Sequence, residues 1–338
     1  MATIRQIAER CGVSLSTVSK ALNGADDVSR STMTRIRKVA EEMGYVPNAA
    51  ARALKTSRSY CFGILIAGSV AAQMPHEFFS KIIVSFQKRA AELGFDITSI
   101  NNRLGGREIG FGEHARYRNC DGILVVAGSE ADNSVIPELV ETGIPVMCID
   151  YGVPGCGSVC SDNEQGMREL VRYVIAQGHR KIAYIYGHDT LVTRSRIATY
   201  RAVCAEHGID IPPEYLVPAL YHDARLAEEA TRKLLSLPDP PTCILYPDDL
   251  AYIGGMNELE HSGVSLPEGI SAAAYDGLDF GQTFHPKLTT IRQNAEAMGR
   301  CAAEELDRAI RERENYDFRR ILIPGVLLPG ETVHPCQQ

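Results

Sequence analysis

The apolar positions of the first 45 residues recur at helical spacing in three short blocks. Ile4, Ile7, Ala8 and Cys11 fall on one helix face, Val18, Ala21 and Leu22 on a second, and Met33, Ile36, Val39, Ala40 and Met43 on a third. Polar residues mark the ends of these blocks. Thr3 with Gln6 has the spacing of a capping box, Gly12 ends the first block, Ser14 caps the second over residues 15–22, and Gly44 closes the third. Two short helices joined by a tight Gly12-Val13 turn, with a third closing the core, predict a helix-turn-helix whose second helix enters the major groove of DNA. Val18, Ala21 and Leu22 then pack back on Ala8, while Ser16, Thr17 and Lys20 point outward. Spacing alone fits any small helical bundle equally well.

From about residue 60 the pattern changes. Apolar runs of strand length at 62–66, 95–100, 122–126, 146–149, 182–186, 243–246 and 270–274 alternate with helical stretches at 79–93, 164–177, 193–207, 224–237, 250–261 and 295–311. Such alternation predicts doubly wound parallel sheets, and a body of this length predicts two of them.

Charge divides the chain at the same place. Residues 1–58 hold ten Lys or Arg against five acids, a net of +5, and the remainder carries 25 basic against 37 acidic residues, a net of −12. A basic head on an acidic body is what phosphate binding at one end requires. The chain has 338 residues and 45% hydrophobic content, enough for a small head and one or two further cores. Its ten cysteines are scattered, and Cys156 with Cys160 forms a C-x3-C without a second pair or a histidine at zinc spacing. Reduced thiols in the cytoplasm, with no metal, no cofactor and no membrane partner, are the expectation. Enzyme motifs are lacking too. His76-Glu77 has no second histidine for H-E-x-x-H, Gly152, Gly155 and Gly157 are in the wrong order for G-x-G-x-x-G, and no G-x-S-x-G or Walker sequence occurs.

The segments Ile4-Arg5-Gln6-Ile7-Ala8, Gly12-Val13-Ser14, Thr17-Val18-Ser19-Lys20, Asn23, Val28-Ser29, Gly44-Tyr45-Val46-Pro47-Asn48 and Ala51-Arg52-Ala53-Leu54-Lys55 resemble the headpiece and hinge of the LacI/GalR transcriptional regulators. The resemblance implies a homodimer on a near-palindromic operator, with a hinge segment that becomes helical on DNA. Its DNA-contacting positions map to Thr3, Leu15, Ser16, Thr17, Ser19, Lys20 and Asn23 in the headpiece and Ala51, Leu54 and Lys55 in the hinge. Leu54 is the candidate wedge, an apolar side chain that enters between base steps and permits a bend. Leu15 can touch a thymine methyl but also borders the apolar face. Lys20 can donate to guanine O6 and N7, although a lysine lacks the bidentate fork of arginine. The implied organisation is a headpiece at 1–46, a hinge at 47–59 and a periplasmic-binding-protein-like body at 60–338. Its two α/β lobes cover 60–161 with 292–321, and 162–291 with 322–335.

Open α/β sheets bind ligands at the carboxyl ends of their strands, where Asp150, Asp248, Asp249 and Asp276 stand. Carboxylates with a fork-donating arginine suit the hydroxyls of a sugar, whereas Asp249 reads as a helix cap. By resemblance Arg196, Asp248, Asp276, Phe284 and Gln293 touch a small effector, with Phe78 or Phe79 stacking on it and Asp150 from the first lobe. Thr199 for glycine, Asp248 for asparagine and Tyr252 for alanine depart from the family pattern. A second acid disfavours anionic ligands such as sugar phosphates unless Arg196 neutralises it, and so favours a neutral sugar or nucleoside. The expected function is a sugar-controlled repressor; the alternatives are a corepressor-dependent regulator sensing a nucleoside or purine, and a sugar-binding protein without a transcriptional role.

Overall fold

A computed structural model describes residues 2–22, 27–45, 58–67, 76–126 and 135–336, apart from the side chain of Glu314. The chain divides into two compact units, residues 1–59 and 60–338. Among the described residues no helix is long and apolar enough to cross a membrane.

The first unit contains α1 (Ile4–Cys11), α2 (Leu15–Leu22) and α3 (Arg30–Glu42). Thr3 and Gln6 cap α1 reciprocally: the Gln6 N–H donates to the Thr3 hydroxyl at 3.4 Å and the Thr3 N–H to Gln6 Oε1 at 2.8 Å. Gly12 ends the helix in the left-handed region at φ 63°. The hydroxyl of Ser14 accepts from the Thr17 N–H at 3.1 Å, and that of Ser29 from the Thr32 N–H at 3.3 Å, each satisfying an otherwise orphaned donor in a first turn. Ile7, Ala8, Cys11, Val18, Ala21, Ile36 and Ala40 form the buried core.

The second unit holds two six-stranded sheets. The first contains, in chain order, β1 (Cys61–Ile66), β2 (Asp96–Ser99), β3 (Gly122–Val126), β4 (Val146–Ile149), β5 (Gly157–Ser161) and, from near the C-terminus, β11 (Arg320–Ile323). Its spatial order is β11-β5-β4-β3-β1-β2, all parallel. The second contains β6 (Ile182–Tyr186), β7 (Leu216–Pro218), β8 (Cys243–Leu245), β9 (Ser271–Asp276), β10 (Thr289–Arg292) and β12 (Val326–Leu328). Its order is β12-β10-β9-β8-β6-β7, with β12 alone antiparallel.

Each sheet buries both faces, as a parallel sheet must. In the first, α4 (Glu77–Glu92) and α11 (Ala295–Glu312) cover Phe62, Ile64, Leu124 and Met147, while the short α5 (Phe111–Tyr117) and α6 (Ile136–Val140) cover Leu65, Ile123, Val125 and Cys148. Gly299 lets α11 lie against α4, since a Cβ there would sit 2.2 Å from the carbonyl oxygen of Ile82. In the second sheet, α7 (Asn163–Ala176) and α8 (Leu191–Glu206) cover Tyr184, Leu245, Ala273 and Ile291. The opposite face is covered by α9 (Ala224–Leu235) and α10 (Asp249–His261), where Gly254 admits the backbone of Ala224.

The chain crosses between the sheets three times, after Ser161, after Arg292 and after Ile323. The last two crossings fall within one or two residues of the lobe boundaries that the resemblance implies. Arg292 still pairs with Asp276 in the second sheet, and Leu322 and Ile323 still pair with Cys160 and Ser161 in the first, so the lobe boundaries expected at 291/292 and 321/322 move to 292/293 and 323/324. Backbone pairing, which the side-chain pattern of the edge strand β11 does not encode, sets the positions.

Candidate functional site

In the first unit, α2 presents a polar outer face. Ser16 and Lys20 are exposed, Thr17 and Ser19 are half-buried, and Leu15 is 44% exposed. Leu15 therefore lies outside the core it was expected to border, because Val18, Ala21 and Leu22 already fill that side. An apolar side chain held in water at the start of such a helix is free to meet a thymine methyl. Lys20 forms a short ion pair with Asp27, which DNA would have to replace. Thr3 is exposed and engaged in its cap. Asn23, Ala51, Leu54 and Lys55 lie outside the described residues, as does the hinge expected at 47–59 up to residue 57.

In the second unit, the strand-end positions converge on a buried polar cluster between the lobes. Asp248 follows β8 next to β6, where successive strands depart to opposite sides, which is the point at which doubly wound sheets bind ligands. Its carboxylate accepts from the N–H groups of Leu250 at 3.0 Å and Ala251 at 2.8 Å, and from the His222 N–H at 2.9 Å. Asp248, and not Asp249, is therefore the cap of α10. Asp249 points the other way, accepting from the Leu278 N–H at 2.6 Å and the Thr290 hydroxyl at 2.7 Å, and so pins α10 to the segment after β9.

Burial works to raise the Asp248 carboxyl, but hydrogen bonding and charge from His222, with the Ala251 N–H, bring it below the usual range. The departure from the family amide is thus balanced locally by His222, whose Nδ1 lies 3.5 Å from Asp248 Oδ1. Burial opposes the charge on His222, and Asp248 then Asp276 raise its pKa above the ordinary value.

Asp276 ends β9 at φ 106° and is 7% exposed. One carboxylate oxygen accepts from Gln293 Nε2 at 2.6 Å, and the other lies 3.7 Å from His76 Nε2. Burial, then the like charge of Asp248, pushes its carboxyl up to about 7, against the pull of His222, Arg196 and Gln293. The Oε1 of Gln293 accepts a short hydrogen bond from the Ser161 hydroxyl, and the Ser161 N–H donates to Asp150 Oδ1 at 2.8 Å. One chain of polar contacts, Asp150, Ser161, Gln293 and Asp276, thus spans both lobes beside two of the crossovers. Asp150 has φ 54°, and burial pushes its carboxyl up to about 6, opposed by the Ser161 N–H, Arg196 and Arg320.

Arg196 is 3% exposed, held by α8. Its Nε donates to Asn163 Oδ1 at 2.7 Å and its Nη1 to the Pro247 carbonyl at 2.9 Å, while the guanidinium carbon lies 3.5 Å from the centre of the Tyr275 ring. Stacking and fixed acceptors hold the fork in one orientation. Phe79 is half-buried at the same place, 5.9 Å from the His76 ring and 6.5 Å from that of His222. Phe78 is instead buried in the first lobe's core. Phe284 packs on the outer hydrophobic cluster of the second lobe and 5.4 Å from the Phe280 ring, because the segment after β9 turns its apolar side to that cluster. A cavity of about 340 Å³ adjoins Asp276 and Gln293 on the hinge side.

Sequence reasoning missed His76, His222, Asn163 and Tyr275. His222 stands at φ 60°, four residues after the three-residue strand β7, and nothing in its neighbourhood marks it. The other two family departures are absorbed by packing: Thr199 bonds back to the Ser195 carbonyl at 2.9 Å, and Tyr252 is buried against the Tyr246 ring at 5.9 Å.

Residues 3–48 match the model for bacterial regulatory proteins of the lacI family, and residues 171–333 match that for the periplasmic binding protein-like domain. The chain is 30% identical over 318 residues to the probable HTH-type transcriptional repressor ExuR of Bacillus subtilis, covering 93% of each chain. It is 27% identical to the HTH-type transcriptional repressor PurR of Photobacterium profundum, covering 94% of this chain and 95% of that one. Among solved structures it resembles the CelR transcriptional regulator in complex with cellobiose, at 25% identity and TM-score 0.70, over 98% of this chain and 100% of that one. The lac repressor dimer bound to operator and the anti-inducer ONPF shares the fold at 23% identity and TM-score 0.77, over 98% and 99% of the two chains.

Proposed function

Since this chain belongs to the LacI family of bacterial regulatory proteins and is a DNA-binding transcriptional regulator, we propose that it acts as a homodimeric repressor whose operator affinity is set by a small neutral sugar held between the lobes. The observation that carries the effector reading is the buried polar cluster at the strand ends. Arg196, Asp248 and Asp276 come from three separate elements, yet their hydrogen-bonding groups converge where the two lobes meet.

Arg196 directs its hydrogen bonds to Asn163 and the Pro247 carbonyl, so it makes no direct hydrogen bond to Asp248 or Asp276. Two buried carboxylates among the candidate contacts disfavour anionic ligands and suit hydroxyl donors. The aromatic edge formed by Phe79, His76 and His222 supports a second reading, a purine or nucleoside, because stacked rings accept a flat base as readily as a sugar face. One headpiece per operator half-site, with the exposed face of α2 in the major groove, makes the DNA site an inverted repeat. Effector and operator must influence each other's affinity by the same factor.

Two experiments test this. A thermal-shift screen of the full chain against neutral sugars, uronic acids, purines and nucleosides identifies the ligand class, since a ligand that binds the native state raises its melting temperature. Selection on random duplex DNA must then enrich an inverted repeat whose affinity responds to that ligand. Enrichment of no repeat, or a repeat indifferent to every stabilising ligand, overturns the proposal.

A further inference from the structure

His76, His222 and Asp276 each offer a ligand atom within 4.8 Å of the other two, and all three side chains are largely removed from solvent. Their origins are separate. His76 precedes α4 in the first lobe, His222 lies between β7 and α9, and Asp276 ends β9 in the second. The His76 and His222 rings are 4.0 Å apart, centre to centre, and His76 Nε2 is 3.7 Å from the Asp276 carboxylate.

Hydrogen bonding leaves these imidazoles unserved. His76 is 6% exposed, yet both its ring nitrogens lack a hydrogen-bond partner, and Nδ1 of His222 has only the 3.5 Å approach of Asp248. A buried polar atom without a partner costs about 1–3 kcal/mol, so the two on His76 call for a group that satisfies at least one of them. His76 occupies the cap position of α4 without capping it, so helix formation does not account for its burial. The surroundings select the sign of that group. Asp248 and Asp276 are buried beside the two rings, and neither receives a hydrogen bond from Arg196, so a cation suits the cluster.

We propose that His76, His222 and Asp276 form a site for a divalent transition-metal ion of the zinc class, gripped between the two lobes. Two imidazoles and one carboxylate are a ligand set that zinc accepts, with a fourth position left for water or a hydroxyl. Donors bound at about 2.0–2.2 Å in a tetrahedron stand roughly 3.4 Å apart, so side-chain movements of about an ångström gather the three atoms. Asp248, behind His222, is placed as a carboxylate that orients a ligating histidine. Because one ligand comes from the first lobe and two from the second, the ion favours the closed arrangement. That it also receives an effector hydroxyl rests on the effector reading above; the ion site itself does not.

Tag-free full-length protein, stripped with EDTA, is titrated calorimetrically with zinc in the absence of any sugar or nucleoside, and separately with cobalt(II) followed by absorption. One ion per chain is expected, with nitrogen- and oxygen-type cobalt bands in the visible. His76→Asn, His222→Asn and Asp276→Asn should each weaken uptake by roughly a hundredfold. Asparagine is a good cap for α4 and tolerates positive φ, so these variants keep their fold, checked by circular dichroism. Absence of zinc uptake, equal uptake by parent and His76→Asn, or a thiolate-to-cobalt charge-transfer band placing the ion on cysteines would overturn the site. Zinc uptake that is intact while no sugar or purine binds supports the ion and counts against the effector reading instead.

Discussion

Asp150→Asn isolates the electrostatic cost of one buried carboxylate. The side chain accepts the Ser161 N–H at 2.8 Å, and asparagine keeps that acceptor and tolerates φ 54° better than other residues. What it removes is the charge. The carboxyl rises from 3.8 to about 6 in the fold, and at about 1.4 kcal/mol per tenfold change in proton affinity this amounts to about 3 kcal/mol. The native state holds this proton more tightly than the unfolded chain, so the penalty is absent below pH 4, grows as pH rises, and is complete above pH 6. The neutral amide escapes it, so the variant should match the parent below pH 4 and exceed it by about 3 kcal/mol above pH 6. Entropy of unfolding for a body of this size is about 0.6 kcal/mol/K, which converts the gain to roughly 5 °C in melting temperature.

The difference between variant and parent is the quantity to follow. His76, held neutral down to about pH 4, costs stability as pH falls from 6.5, an opposite slope that cancels in the difference. Melts by circular dichroism, at one protein concentration with EDTA and no effector, from pH 4 to 8, supply the profile. A difference flat with pH, or a variant less stable than the parent at pH 7, refutes the reasoning.

Arg196→Ala should weaken effector binding by roughly ten- to a hundredfold in calorimetry while operator affinity without effector is retained, since the proposed contact removed is one from a charged donor. Equal effector affinity would remove Arg196 from the contact set. Lys20→Ala should cost about 1–3 kcal/mol in operator binding and relax preference at one base pair, read by competition gel shift; a uniform loss across sequences would make Lys20 a phosphate contact. Leu54→Ala, in the hinge, should lower specific operator affinity and leave effector binding unchanged, and an unchanged gel shift would reduce Leu54 to a linker residue.

The fold was legible wherever burial is one-sided or complete. Ile4, Ile7, Ala8 and Cys11 mark a helix face because the other face is polar, and runs such as 122–126 and 182–186 mark central parallel strands because both faces are covered. Gly157–Ser161 and Thr289–Arg292 escaped notice, since their buried serines and threonines interrupt the apolar run although each strand is paired on both sides. At the cleft, aspartates after strands were readable because the fold class says where ligands go. His76, His222 and Asp276 were not readable as a group. Metal motifs are recognised by short spacing on one element, and these residues are separated by 146 and 54 positions, joined by tertiary folding alone.

The three crossings between the lobes also govern the order of assembly. Neither lobe is a continuous stretch of chain: β11, an edge of the first sheet, is made last among its strands, and α11, which covers that sheet, arrives only after most of the second lobe. About 160 residues separate the end of β5 from the start of β11. At a synthesis rate of about 5–20 residues per second, the first lobe waits roughly ten to thirty seconds with Phe62, Leu124 and Met147 incompletely covered on one face. The headpiece, complete in its own core by Tyr45, has no such delay. On the ribosome a finished DNA-reading unit therefore precedes a body that remains open to misassembly, and truncation anywhere between residues 161 and 320 leaves both lobes unfinished rather than one intact.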